Sequence, residues 1–273
     1  MISEVSTRFG RNSDRRTSRR GFTLVELLVC IGLIVMLIAI LLPALRKSVE
    51  AGRQVSCLNH LRQISQATQM YCLDNDGVFP SAAGTDEVNS VAGMQKSDWI
   101  YWKNTTGTPP YTDVQKSALA RYLGGSIPAV FRCPSDSCDV RPPNPWGPEP
   151  YLYSYSMNGW IGASPTLSLA LFHHWLQAKD IVDPSEVILF IDEDDQTVDD
   201  GTWYPTYAIA HNQISSRHDI SRDNAGLSGD VGFDPTVRGN VAFCDGHGEF
   251  VTRQFSWTQV HYNPMAKPLP QPY

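Results

Sequence analysis

The chain has 273 residues, 42% of them hydrophobic and 18% charged, with a formal net charge of −6. This composition can bury a core and excludes a disordered chain. The acidic balance argues against nucleic acid as a partner, because phosphates call for a surplus of Lys and Arg. The averages hide a polarised N-terminus. Residues 1–21 hold six Arg (8, 11, 15, 16, 19 and 20) against Glu4 and Asp14. Leu24 to Leu42 follows, with Glu26 as its only charge. As a helix this run spans about 28 Å, close to the hydrocarbon thickness of a bilayer. The positive-inside rule keeps the Arg cluster cytoplasmic and sends everything after Leu42 across the membrane. A cleaved secretory signal would show a shorter apolar run and a small-residue cleavage site. Pro43-Ala44-Leu45-Arg46 stands there instead.

Glu26 is costly inside a membrane span and calls for a partner. An α-amino group created by a cut just before Phe22 would supply one. The run Arg19-Arg20-Gly21-Phe22-Thr23-Leu24-Val25-Glu26-Leu27-Leu28 resembles the class III signal of type IV pilins and type II secretion pseudopilins. Its marks are a basic leader, Gly, Phe, then Glu at the fifth mature position. The resemblance implies that a membrane prepilin peptidase cuts after Gly21 and methylates Phe22. It further implies that Glu26 serves assembly with other pilin or pseudopilin subunits.

From Arg46 to Leu73 there is no Pro and only one Gly, Gly52. At 100° per residue Cys57, Leu58, Leu61, Ile64, Thr68 and Cys72 share one side, flanked by Tyr71, which predicts an amphipathic helix with one face for a globular head. Pro43 should kink the helix or open its hydrogen bonds. Asp74-Asn75-Asp76-Gly77 then ends it, with Gly77 as cap and Pro80 barring resumption. The expected organisation is a leader over 1–21, a transmembrane helix over 22–45, an amphipathic extension over 46–76 and a head over 77–273. Within the head, a short helix is expected from Val114 to Leu123 and strands at 129–133, 151–157 and 187–191. A proline-rich connector covers 136–150, a helical stretch 167–178 and a Ser/Asp/Gly-rich insertion 212–236.

Asn240–Cys244 and His247–Val251 flank Asp245-Gly246, the mark of a hairpin with a two-residue turn. The fold class expected is therefore α+β, with the long helix packed on an antiparallel sheet. Arg217-His218, Gly239-Asn240-Val241 and Phe243-x-Asp245-Gly246-His247 resemble a C-terminal domain of large pilin-like envelope families abundant in planctomycete-type bacteria. The signature of that domain is His, nine residues, then Asp-Gly. Here 26 residues separate His218 from Asp245, an excess matched by the Ser/Asp/Gly-rich stretch 219–235. Cys57-Leu58-Asn59-x-Leu61-Arg62-Gln63-Ile64, Tyr71 to Pro80 and Cys133-Pro134-Ser135-Asp136 are similar to the same families.

His218, Asp245 and His247 offer imidazole and carboxylate donors for a divalent ion. A turn Asp with a packed hairpin His is the alternative. Asp192-Glu193-Asp194-Asp195 with Asp199-Asp200 reads as a solvated acidic loop, or as oxygen ligands for calcium. His173-His174 stands in a mostly apolar stretch, where one ring would face the core. Cys133 and Cys138 are near enough for a local disulfide in an oxidising envelope, whereas Cys57 and Cys72, on one helix face, are too far apart along its axis. Cys30 lies in the membrane span. No phosphate loop, nucleophile elbow or HExxH motif is present, so no enzyme is expected. Two function classes remain. One is a structural pilin or pseudopilin subunit of the inner membrane, with its head periplasmic or extracellular. The other is a membrane-anchored periplasmic metal-binding or enzymatic domain behind a pilin-type leader.

Overall fold

The computed structural model describes residues 22–83, 95–102, 113–124, 127–138, 141, 151–162, 176–205, 212–219 and 234–266. Gly21 and the leader, the connector beyond Arg141, His173-His174 with most of the expected 167–178 helix, and the heart of the 212–236 insertion lie outside the described residues. The chain divides into two compact units, Met1–Arg46 and Lys47–Tyr273.

One helix, α1 (Leu24–Asp74, 51 residues), belongs partly to each unit. In the first unit its large apolar side chains, from Leu24 to Leu45, are exposed, and the helix is long and apolar enough to cross a membrane. It runs through Pro43, whose ring nitrogen donates no bond back to Ala39. In the second unit α1 buries Cys57, Leu61, Ile64, Ser65, Ala67, Thr68 and Cys72. The expected stripe is thus the buried one, with Leu58 and Tyr71 half-buried at its margins. The Gly77 N–H closes the helix end on the Cys72 carbonyl at 2.8 Å, using a positive φ of 83° that suits glycine.

The sheet has five strands: β1 (Tyr155–Asn158), β2 (Ile188–Asp192), β3 (Thr202–Trp203), β4 (Arg238–Phe243) and β5 (Gly248–Thr252), in the order β3-β1-β2-β4-β5. Together with α1 it makes the α+β, pilin-like architecture expected. The sheet is mixed, however. β1–β2, β2–β4 and β4–β5 are antiparallel while β1–β3 is parallel. After β2 the chain crosses over to the far side of β1 and runs back alongside it, which a pure hairpin series does not do.

Helix and sheet are fastened by side chains of α1 reaching backbone. Ser65 Oγ donates to the Phe243 carbonyl at 2.7 Å, Arg62 to Gly248 at 2.9 Å and Gln69 to Cys244 at 3.0 Å. A Cβ on Gly248 would stand 3.0 Å from Leu58 Cδ1, so glycine permits this close approach. Behind the stripe lie Trp99, Phe131 and Phe190. Trp99 stacks at a tilt on Phe190, centroids 4.9 Å apart, and its indole N–H reaches the carbonyls of Ala82 and Gly201.

Three local expectations are corrected. The 114–123 helix is split into a 3-10 turn (Asp113–Lys116) and a helical turn (Ala120–Leu123), because the Ala118 N–H is drawn to the Asp98 carbonyl at 2.9 Å. Residues 129–133 form no strand. Ile127–Val130 is a helical turn, and the Cys133 N–H that a strand partner would take goes to Ser154 Oγ at 2.8 Å. The 240–251 hairpin exists, but its loop has three residues: Gly246 N–H bonds Phe243 at 3.0 Å, Phe243 N–H bonds His247 at 2.9 Å, and Gly246 has φ 94°. That is a turn with a glycine bulge, and it moves Cys244 out of the ladder and into the turn.

Ile64 is fully buried in the helix–sheet core. Ile64→Ala should cost the folded head about 2–4 kcal/mol, read by denaturant unfolding followed through tryptophan fluorescence. Val55→Ala, on the exposed side of the same helix, should leave the transition within about 0.5 kcal/mol of wild type.

Candidate functional site

Two places carry chemistry. At the N-terminus, Thr23 precedes the first residue of α1 and Glu26 is its third. The Glu26 N–H donates to Thr23 Oγ1 at 3.2 Å, and the Thr23 N–H returns a bond to Glu26 Oε2 at 2.9 Å. The Thr23 hydroxyl also donates to Oε2 at 2.8 Å. These reciprocal bonds are a capping box, which satisfies N–H groups a helix start leaves unpaired. The Thr-x-x-Glu spacing was visible in the sequence, beneath the leader motif that shares the same residues. Phe22 is exposed immediately before it.

The second place is inside the head. Cys57 on α1, Cys133 after the 127–130 turn, Asp192 at the end of β2 and His218 in a loop each point one donor atom inward. These four atoms lie within 4.8 Å of one another, and all four residues are buried. His218 Nε2 is 3.1 Å from Cys133 Sγ and 3.7 Å from Asp192 Oδ2. Cys57 Sγ is 3.5 Å from the same Asp192 oxygen. The other His218 nitrogen, Nδ1, meets Glu50 Oε1 at 2.8 Å, and Glu50 is held by the Ser135 hydroxyl at 2.6 Å. Glu50 and Cys57 are seven residues apart, two helical turns, and so share a face. Burial pushes the Cys57 thiol up. For Cys133 a hydrogen bond with Cys57 does most, with burial adding to it. Burial opposes a charge on His218, but Cys133, Asp192 and Glu50 outweigh it and its pKa is raised to about 9.

Around this cluster lies a buried charge network. Arg217 pairs with Asp192 and Asp195, reaches Asp136 at 3.3 Å and donates to the Glu193 carbonyl at 2.8 Å. Arg141 pairs with Asp136 and donates to the Tyr151 carbonyl at 3.0 Å. Arg253 takes Asp194 at 3.0 Å. The expected solvated acidic loop is corrected accordingly. Asp192 and Glu193 are buried, and Asp192, Asp194 and Asp195 meet guanidinium groups.

The residues singled out from sequence are not all brought together. Asp245 and His247 are adjacent, Nδ1 to Oδ1 at 2.5 Å, half-exposed in the turn, with the His247 ring stacked on Phe243 at 4.1 Å. His218 does not join them. Its companions are Glu50, Cys133 and Asp192, because the 26-residue separation lets it reach the end of β2. Cys133 and Cys138 are free thiols in the structure. Cys133 turns to His218 while Cys138 lies 3.5 Å from Ser154 Oγ. Cys57 was missed as a site residue and Asp192 was raised only within the acidic run as a calcium ligand, since nothing in the sequence brings a helix cysteine beside a strand end.

Residues 16–42 match the family described as the prokaryotic N-terminal methylation motif. No curated protein and no solved structure matches the chain. The match covers the leader junction and the apolar helix, and it supports a pilin-type precursor, compatible with membrane anchoring.

Asp136 gives a pH signature. Burial would raise its pKa, but Arg217 and Arg141 outweigh this and hold it below the ordinary 3.8. A carboxylate with a lowered folded-state pKa stabilises the fold above its unfolded value, and that contribution disappears as pH falls through the folded value. Asp136→Asn should cost about 3 kcal/mol at neutral pH by leaving the arginines short of a partner. The gap from wild type should narrow below about pH 4, as read from unfolding midpoints taken across the acid range.

Proposed function

We propose that this chain is a structural subunit of pilin or pseudopilin type. In this reading prepilin peptidase removes residues 1–21 and methylates Phe22. The apolar part of α1 stores the subunit in the inner membrane, and the head faces the periplasm or the cell exterior until the helix packs with other subunits in a pilus or pseudopilus. The observation that carries the proposal is the motif match over residues 16–42 on a helix whose large apolar side chains from Leu24 to Leu45 are exposed. Loss of the leader, with its six Arg and two acids, takes the net charge from −6 to −10, an acidic head suited to an exported surface. The likeness of the 217–251 segment to the His…Asp-Gly envelope families points the same way.

Glu26 is given the assembly role. Its capping box holds the carboxylate at the start of the helix, about one turn from the ammonium that cleavage creates on Phe22. The same pair of charges can close within one chain or between neighbours, setting axial register.

Mass spectrometry of the protein from its native membrane should find N-methylated Phe22 at the start. An intact Met1 in cells with active prepilin peptidase would overturn the reading. Glu26→Ala, Glu26→Leu and Glu26→Gln should all be cleaved and inserted normally, yet enter sheared filaments at least about tenfold less than wild type if an unpaired intramembrane charge is the cause. Glu26→Gln is the sharpest of the three, because glutamine still closes a capping box but carries no charge. Wild-type incorporation of the Gln variant would assign Glu26 to helix capping instead.

A further inference from the structure

We infer that Cys57, Cys133, Asp192 and His218 form a closed, four-coordinate site for a thiophilic divalent ion of the zinc class inside the head. The inference is independent of the filament reading, since metal content does not depend on leader cleavage.

The geometry is the first support. With Zn–S near 2.3 Å and Zn–N or Zn–O near 2.0–2.1 Å, a tetrahedron has donor-to-donor edges of roughly 3.4–3.8 Å. The edges found are 3.1, 3.5 and 3.7 Å, and all remaining ones fall within 4.8 Å. The four donors come from a helix, a turn, a strand end and a loop, and their convergence in one dry place is not a by-product of local sequence.

The surroundings are the second support. A metal-bound imidazole characteristically gives its remaining N–H to a carboxylate, fixing tautomer and ring orientation. His218 has this arrangement, with Nδ1 on Glu50 and Nε2 turned into the cluster. Asp192 likewise has one oxygen committed to Arg217 and the other facing the thiols. Two sulfurs, one nitrogen and one oxygen suit zinc, whereas calcium asks for six to eight oxygens. On binding, the ion displaces three protons to solvent, one from each thiol and the Nε2 proton of the His218 imidazolium, whose lone pair then takes the metal while Nδ1–H stays on Glu50. Nothing is oxidised or reduced. Two thiolates and one carboxylate around a dication leave a single negative charge beside Arg217. With four protein donors and no open position, the role is structural: the ion ties α1 to the end of β2.

The test uses the full-length protein in detergent, purified under reducing conditions, exposed to zinc sulfate and dialysed. Elemental analysis should give about one zinc per chain. Cobalt loading should give a thiolate-to-metal charge-transfer band. His218→Ala and Cys133→Ala should lower retention at least tenfold, and Glu50→Gln should weaken affinity by about 10–100-fold. His247→Ala should retain wild-type zinc. Because a variant can misfold for other reasons, wild type is also alkylated with and without a chelator. Cys57 and Cys133 should become reactive on chelation while Cys72 and Cys244 stay protected. Wild type that retains no zinc, zinc that survives loss of both Cys133 and His218, or a Cys57–Cys133 disulfide in protein isolated without reductant would each overturn the inference.

Discussion

Arg217 gathers three carboxylates, two with buried side chains, Asp136 and Asp192, and one at the margin, Asp195. Asp136, Asp192 and Asp195 come from a turn, a strand end and the loop beyond it, and Arg217 meets all three. Any one of them buried without a cation would cost several kcal/mol or take up a proton. Glu193, beside them and meeting no guanidinium with its side chain among the described residues, shows that alternative: burial pushes its pKa well above the ordinary carboxylate range. Through Asp192 the arginine fixes the last residue of β2. Through the Glu193 carbonyl it fixes the start of the crossover to β3. The inward-facing Asp192 oxygen follows from where this guanidinium sits.

A second constraint acts on α1. Its first part exposes a continuous apolar surface, while from Cys57 to Cys72 it offers a narrow stripe to the core and meets the β4–β5 turn with polar side chains. Ser65, Gln69 and Arg62 donate to the carbonyls of Phe243, Cys244 and Gly248, in and beside that turn. A two-residue turn would have placed the Cys244 carbonyl in a cross-strand pair, whereas here it is left to Gln69. The glycine bulge and the polar margin of the helix are therefore two sides of one arrangement.

What the sequence made legible follows periodicity and motif. The leader junction, the apolar span, the buried stripe and the Gly77 stop are local patterns, and the 240–251 strands announce themselves as two strand-like runs around Asp-Gly. The mixed sheet was not legible, because no local signal says which side of β1 a later strand will join. The site was half legible. His218 stood out by its motif, but its partners were sought at Asp245 and His247, its neighbours in the pattern. The chain brings it instead to Cys57, 161 positions earlier, and to Cys133 and Asp192. Long-range convergence of single donors leaves no mark on spacing. The acidic run 192–195 misled for the opposite reason: it looked solvated because its arginines lie elsewhere in the chain.

The N-terminus joins these threads. A capping box is worth about 1 kcal/mol to a helix end, whereas a charge left unpaired within a bilayer costs several times that. The Thr23–Glu26 bonds therefore explain how α1 starts but are too weak to explain why an acid is kept at this depth. In the filament reading, cleavage supplies the stronger interaction, because it replaces a neutral amide before Phe22 with an ammonium. That charge adds to the positive end of the helix dipole, one turn from Glu26. Before processing the carboxylate has only its own helix start to satisfy; afterwards it faces a cation whose pairing is either local or intermolecular. In that reading the chain carries an interaction that is weak in the precursor and strong in the mature protein. Coupling assembly to processing requires such a difference.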